Sequence, residues 1–207
     1  MSNTLLRSAP QRDRTLTIFG WLIAASWVTL VSYWCVAGAA AVRRMGSKWI
    51  WWREIALRLG FFAAVVLVLQ IEAATHVLPT AALYVLNTNT LMGFAGFLLS
   101  VLGVGIAIAA HVRLGSGWIA PTSSQEGSEL ITNGPFALVR HPLYGGLLLA
   151  MLGSAIGQSV LWVLPLIVYG PGFVLSARRE EDLLIARFAE RYRDYMRRTK
   201  RFVPFLW

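Results

Sequence analysis

Charge is scarce in this chain. Only 14% of its 207 residues are Asp, Glu, Lys or Arg, and none falls between Thr15 and Val42 or between Leu143 and Ala177. A soluble domain carries about 25% charged residues, so an ordinary water-facing surface is excluded. Acidic side chains are the scarcest, ten against nineteen Lys and Arg, for a formal net charge of +9. Cysteine is nearly absent: Cys35 stands alone inside an apolar run. That excludes an internal disulfide and a cysteine-based zinc site, and leaves a small packing residue as the expectation. A Gly-rich phosphate loop is missing too. Gly103-Val104-Gly105 lies inside an apolar run and Gly115-Ser116-Gly117 opens no strand-helix unit, so a Rossmann domain is ruled out.

Hydrophobic residues fill the space left by charge, at 57% with a mean hydropathy of +0.59. The solvent to reason with is the bilayer. The basic residues stand in blocks beside apolar runs, a pattern that orients membrane spans and argues against nucleic acid as a partner. The first run, about Leu16 to Val42, exceeds the ~7–15 residues of a signal-peptide core and reads as a retained anchor. A second span is expected from about Leu59 to Leu78, where Pro79 breaks it, and a third from Thr90 to Ala110. The uncharged stretch Leu143–Ala177 has 35 residues, too long for one crossing of ~20. Gly157-Gln158-Ser159 is therefore expected to turn it into a hairpin.

This predicts an all-α polytopic protein of about five transmembrane helices with a cytosolic C-terminal amphipathic helix. Residues 1–110 supply three spans, and 111–207 form the catalytic region. The connections on one side carry three, zero and zero Lys/Arg, and those on the other five, two and nine. The positive-inside rule then places the N-terminus outside and the tail in the cytoplasm. Gly146, Ala150, Gly153, Ser154 and Gly157 offer a face on which another helix can pack closely. Pro165, Pro171 and their glycines are expected to bend or loosen the fifth span.

Two constellations fall on the basic side. The first is Gly134-Pro135-Phe136 followed by Arg140-His141-Pro142-Leu143-Tyr144. Taken alone, an interfacial Arg-His pair is more often a headgroup anchor than a site. The second runs from Arg178-Arg179-Glu180-Glu181 to Arg201-Phe202-Val203-Pro204, with Glu181, Leu184, Phe188, Tyr192 and Tyr195 spaced onto one helical face. Its arginines suit an anionic lipid surface, but carboxylates beside such a surface are repelled unless paired or bound to a cation. Glu72 and His76, one turn apart, are two metal ligands without a third, so no metal is assigned.

Together with Leu114-Gly115-Ser116-Gly117-Trp118, these constellations resemble the isoprenylcysteine carboxyl methyltransferase and phospholipid methyltransferase superfamily. Its pattern runs G-P-[FY]-x-x-x-R-H-P-x-Y-x-G, a hydrophobic hairpin, E-E-x-x-L-x-x-x-F-G-x-x-Y-x-x-Y and R-F-x-P. Ala189 departs from it by replacing the usual glycine. The resemblance implies an integral membrane enzyme that uses S-adenosylmethionine on a lipophilic or lipid-modified substrate, among membrane lipids. His141, Tyr144 and Glu181 are its implied cofactor contacts, with Gly134, Pro135 and Glu180 beside them. Arg140 and Glu181 are the implied catalytic pair, Arg140 orienting a carboxylate of substrate or cofactor or else pairing with Glu181. His141 and Glu181 are expected to line a water-filled pocket. A carboxylate acceptor is favoured, since it needs no general base, and a bacterial inner membrane suits the compact chain. The alternatives are an NADPH-dependent reductase of the sterol type and a non-catalytic scaffold.

Overall fold

The computed structural model describes residues 9–42, 60, 63, 67, 89–115 and 129–204. All its regular elements are helical: α1 (Ala9–Val42), α2 (Thr90–Leu114), α3 (Pro142–Gly157), α4 (Val163–Phe188) and α5 (Glu190–Arg198). Short 3-10 turns precede α3 at Gly134–Ala137 and α4 at Val160–Trp162. The described residues contain no strand, only an isolated parallel bridge between Val139 and Lys200.

Among the described residues, three helices are long and apolar enough to cross a membrane: Ile18–Gly38 within α1, Thr90–Leu114, and Val160–Phe188. Helix α3, with 16 residues, is shorter. Of the predicted second span only Gly60, Ala63 and Leu67 are described, each helical, and Glu72 and His76 lie outside the described residues. The hairpin turn falls where the glycine-polar cluster predicts it. α3 stops at Gly157, and the Ser159 hydroxyl accepts the Leu161 amide at 3.2 Å to start the next turn.

Backbone contact between α2 and α3 organises the bundle. A Cβ on Gly146 would stand 2.6 Å from the Gly103 carbonyl oxygen, and one on Gly153 would stand 2.6 Å from that of Gly96. Side chains are excluded there, so Gly96, Ser100, Gly103 and Ala107 interlock with Gly146, Ala150, Gly153 and Gly157 in antiparallel order. In a bilayer, where apolar side chains gain little by leaving lipid, this close packing supplies the attraction. The small-residue face anticipated on α3 is thus half of a seam whose other half is on α2.

Helix α1 runs parallel to α2. Phe19 meets Phe94, the Ser26 hydroxyl lies 3.1 Å from that of Ser100, and the Tyr33 hydroxyl lies 2.6 Å from His111 Nδ1. Trp27 ties α1 to the hairpin, donating to Ser154 Oγ at 2.9 Å and stacking on Trp162. Cys35, expected to pack, is exposed on the outer face of α1 instead. Leu164, Ile167, Val168 and Leu175 are exposed along α4, as a lipid-facing surface requires.

Helix α4 holds Pro171 and continues without interruption past Arg178 to Phe188. The helical face expected from Glu181 to Tyr195 is therefore divided between the end of α4 and the nine-residue α5. The break is at Ala189, at φ 48° and ψ −120°, a conformation costly for any side chain and natural to glycine.

Two stability changes follow. Gly103→Val should lower the thermal unfolding midpoint in detergent by the equivalent of about 1–3 kcal/mol or more, while Gly105→Val on the same helix, with open space around it, should leave it nearly unchanged. Ala189→Gly should raise stability by about 1 kcal/mol, since relief of backbone strain of order 1–3 kcal/mol exceeds the extra unfolded-state freedom of glycine. Equal losses at Gly103 and Gly105, or a loss at Ala189→Gly, would contradict this reading.

Candidate functional site

The antiparallel seam brings the C-terminal end of α2, the N-terminal end of α3 and the C-terminal end of α4 to the same end of the bundle. Three chain segments meet there: Val139–Tyr144, the Glu180–Glu181 turn of α4, and the stretch from Thr199 to Phe202. The first and third pair through backbone, Arg140 N donating to Lys200 O at 2.8 Å and His141 N to Arg201 O at 3.0 Å. Gly145 lies so close to this strap that an added Cβ would sit 2.9 Å from the Phe202 carbonyl oxygen.

Glu181 is at the centre, only 3% exposed. Arg140 Nε donates to its Oε1 at 2.8 Å, and Arg201 donates from Nη2 to Oε2 at 2.5 Å and from Nε to Oε1 at 3.2 Å. Two guanidiniums on one carboxylate satisfy its lone pairs and offset the cost of burying it. Arg140 Nη1 also donates to the carbonyls of Met196, at 3.3 Å, and Thr199. Of the two partners the sequence leaves open for Arg140, the structure shows Glu181.

Glu180, next in the chain, has a different environment. Its side chain is 32% exposed, and the Tyr144 hydroxyl donates to Oε1 at 2.5 Å. His141 lies between the two carboxylates, Nδ1 3.4 Å from Glu180 Oε2 and Nε2 3.3 Å from Glu181 Oε1. The latter contact has the distance of an ion pair but not the direction of a hydrogen bond, and the buried Nε2 is left without a hydrogen-bond partner. Burial opposes the imidazolium, but the contacts and fields of Glu180 and Glu181 outweigh it, so the His141 pKa is raised.

An aromatic column continues from this ring. His141 stacks on Tyr144 at 5.8 Å and 15°, Tyr144 stacks on Phe173 at 5.0 Å and 11°, and Tyr169 lies 6.1 Å beyond. Tyr195 secures the approach to α3, its hydroxyl donating to the carbonyls of Phe136 at 2.6 Å and Val139 at 3.4 Å. Burial pushes this phenol up to about 12, so it stays a neutral donor.

Among the residues singled out in the sequence, Arg140, His141, Tyr144, Glu180 and Glu181 come together. Gly134, exposed and at φ 62°, and the half-buried Pro135 open the 3-10 turn. Their described neighbours are Arg113, which donates to Asn133 Oδ1 at 2.6 Å, and the turn's own amides. His141 and Glu181 are buried rather than lining a water-filled pocket, because the strap covers them. Arg201 and Phe173 were not anticipated. The terminal R-F-x-P element could have pointed to Arg201; nothing local singles out Phe173. Residues 116–118 of the Leu-Gly-x-x-Trp element lie outside the described residues.

Residues 91–191 match the model of the phospholipid methyltransferase family, a region from α2 to the start of α5. The chain is 33% identical over 109 residues to the nickel-cobalt-cadmium resistance protein NccN of Alcaligenes xylosoxydans xylosoxydans, covering 52% of this chain and 50% of that protein. It is 35% identical over 111 residues to the cobalt-zinc-cadmium resistance protein CzcN of Cupriavidus metallidurans, with the same coverage. The chain thus spans about half the length of the curated relatives it matches.

The raised pKa of His141 sets the sign of a pH dependence. A group that binds its proton more tightly when folded stabilises the fold fully below its unfolded pKa of about 6.5, and that contribution is lost as pH rises through the folded value. The difference in unfolding midpoint between wild type and His141→Gln should be largest below pH ~6.5 and shrink above it. A gap that widens with pH would contradict the assignment.

Proposed function

We propose, from the match of residues 91–191 to the phospholipid methyltransferase family, that this chain transfers methyl groups from S-adenosylmethionine to a lipophilic acceptor at the cytosolic membrane face. The observation that carries the reading is the convergence of Glu180, Tyr144 and His141 at one end of the bundle, with the buried His141 Nε2 lacking a hydrogen-bond partner.

The donor set fits this cofactor. Glu180 offers a half-exposed carboxylate to an ammonium group. His141 offers an unmet polar atom. The Tyr144–Phe173 column offers ring faces, which attract a sulfonium or stack on a purine. Gly134, exposed at the rim, and the half-buried Pro135 are assigned a lesser part. When bound, adenosylmethionine supplies an electrophilic methyl group on a positively charged sulfur.

The protein must then align nucleophile and methyl group and exclude water. Its own residues favour a carboxylate acceptor. An amine acceptor must give up a proton, but His141 is flanked by Glu180 and Glu181, which favour its protonated form, and Glu181 is engaged by Arg140 and Arg201. A carboxylate needs no base, and neutralisation of its charge during transfer is helped by the apolar side chains around the column. Arg140 and Glu181 act as the ion pair that supports this geometry. The basic side of the chain, with five, two and nine Lys/Arg against three, zero and zero, supports a cytosolic site in a bacterial inner membrane.

Calorimetric titration of the detergent-purified chain should show micromolar binding of S-adenosylhomocysteine and none of NADPH. Binding of NADPH alone would replace this reading with a reductase, and binding of neither by folded protein would leave a non-catalytic scaffold.

A further inference from the structure

Glu180 and Glu181 are adjacent in the chain but differ in nearly every physical respect. Consecutive helical residues point about 100° apart, so one carboxylate of such a pair can face inward while its neighbour faces outward. Glu181 turns into the bundle, with 4% of its side chain exposed and both oxygens engaged by guanidiniums. Glu180 turns toward the aromatic column, is 32% exposed and takes a neutral hydroxyl rather than a cation. The only positive group in described contact with it is His141, at 3.4 Å.

Arg201 makes this division possible. It belongs to the strap held by the Lys200 and Arg201 carbonyls, so its guanidinium arrives at a fixed height beside Glu181. It alone engages Oε2, while Oε1 is shared with Arg140. Glu181 in turn raises the pKa of Arg201, as a two-point contact should. Without Arg201, Oε2 would be a buried oxygen with no donor in described contact. Arg140 would remain on Oε1 at 2.8 Å, and beside it only His141, 3.3 Å from that same oxygen and already stacked on Tyr144, is in described contact with the carboxylate. A carboxylate drawn to His141 would pull the imidazole out of register with Tyr144, and Tyr144 holds Glu180.

We propose that the two glutamates divide the work: Arg201 is a positioning residue that pins Glu181 as the buried anchor of His141 and Arg140, leaving Glu180 as the carboxylate that receives the cationic end of the methyl donor. This deepens the methyl-donor reading and rests on it. It assigns Glu181 to support and Glu180 to ligand contact, and it makes the C-terminal strap part of the site.

The experiment is calorimetric binding of S-adenosylhomocysteine to the full chain in detergent, with thermal unfolding measured on each variant. Glu180→Gln should keep the wild-type midpoint and lose at least about tenfold in affinity, as expected for one charge-assisted contact. Arg201→Gln should also lose about tenfold, Arg201→Lys should recover part of it, and Arg201→Gln combined with Glu181→Gln should bind no worse than Glu181→Gln alone. That lack of additivity separates action through Glu181 from general loosening. If Arg201→Gln does not fold, the Glu180→Gln arm decides. Wild-type affinity in Glu180→Gln, or fully additive losses in the double variant, would overturn the inference while leaving the donor reading intact. No binding by the wild type would remove both.

Discussion

A carboxylate withdrawn from water must be matched by positive charge, and in this bundle Glu181 is matched twice. Arg140 comes from the segment before α3, Arg201 from the strap after α5, and Glu181 itself from α4. The ionic knot therefore joins three stretches that no apolar contact alone would hold in register. Breaking such a buried pair typically costs 3–5 kcal/mol, because the remaining charge is left uncompensated. With the knot intact, the imidazole of His141 has two carboxylate neighbours, and the ring column beyond it has a fixed starting point.

The glycine seam sets where the knot can form. Since α2 and α3 touch backbone to backbone, the entry to α3 is fixed against the exit of α2, and the Phe136 turn sits under Tyr195. Pro142 starts α3 immediately after His141, in the first turn where a missing amide costs nothing. Rigid elements thus carry the site residues, while lipid-facing side chains on α4 are left to the bilayer. A family of membrane methyltransferases matches this same region, from α2 through the Glu180–Glu181 turn.

Much of this was legible in the sequence because it depends on local rules. The length of the uncharged stretch predicted a hairpin, the Gly157-Gln158-Ser159 cluster located its turn, and the spacing of small residues marked the packing face of α3. The gathering of Arg140, His141, Tyr144, Glu180 and Glu181 was anticipated from motif resemblance. Other features depend on contacts distant in sequence. The partner face Gly96–Ala107 reads as one more apolar span until α3 is laid against it, and Arg201 reads as one arginine among many until the strap pairs with Val139–His141. The unequal burial of Glu180 and Glu181 follows from helix rotation relative to a strap whose position no local pattern reveals. Ala189 reads in the sequence only as a departure from a glycine; its positive φ shows what backbone freedom a glycine there would supply.

The most direct test is transfer of label from methyl-tritiated S-adenosylmethionine to a lipid extract incubated with the purified chain, followed by mild alkali. A methyl ester releases volatile methanol under these conditions and a methylated amine does not. Label in the organic phase that becomes volatile with alkali is the expected result. Alkali-stable label would contradict the carboxylate acceptor, and absence of label in lipid, with folded protein present, would contradict methyl transfer to a lipophilic acceptor.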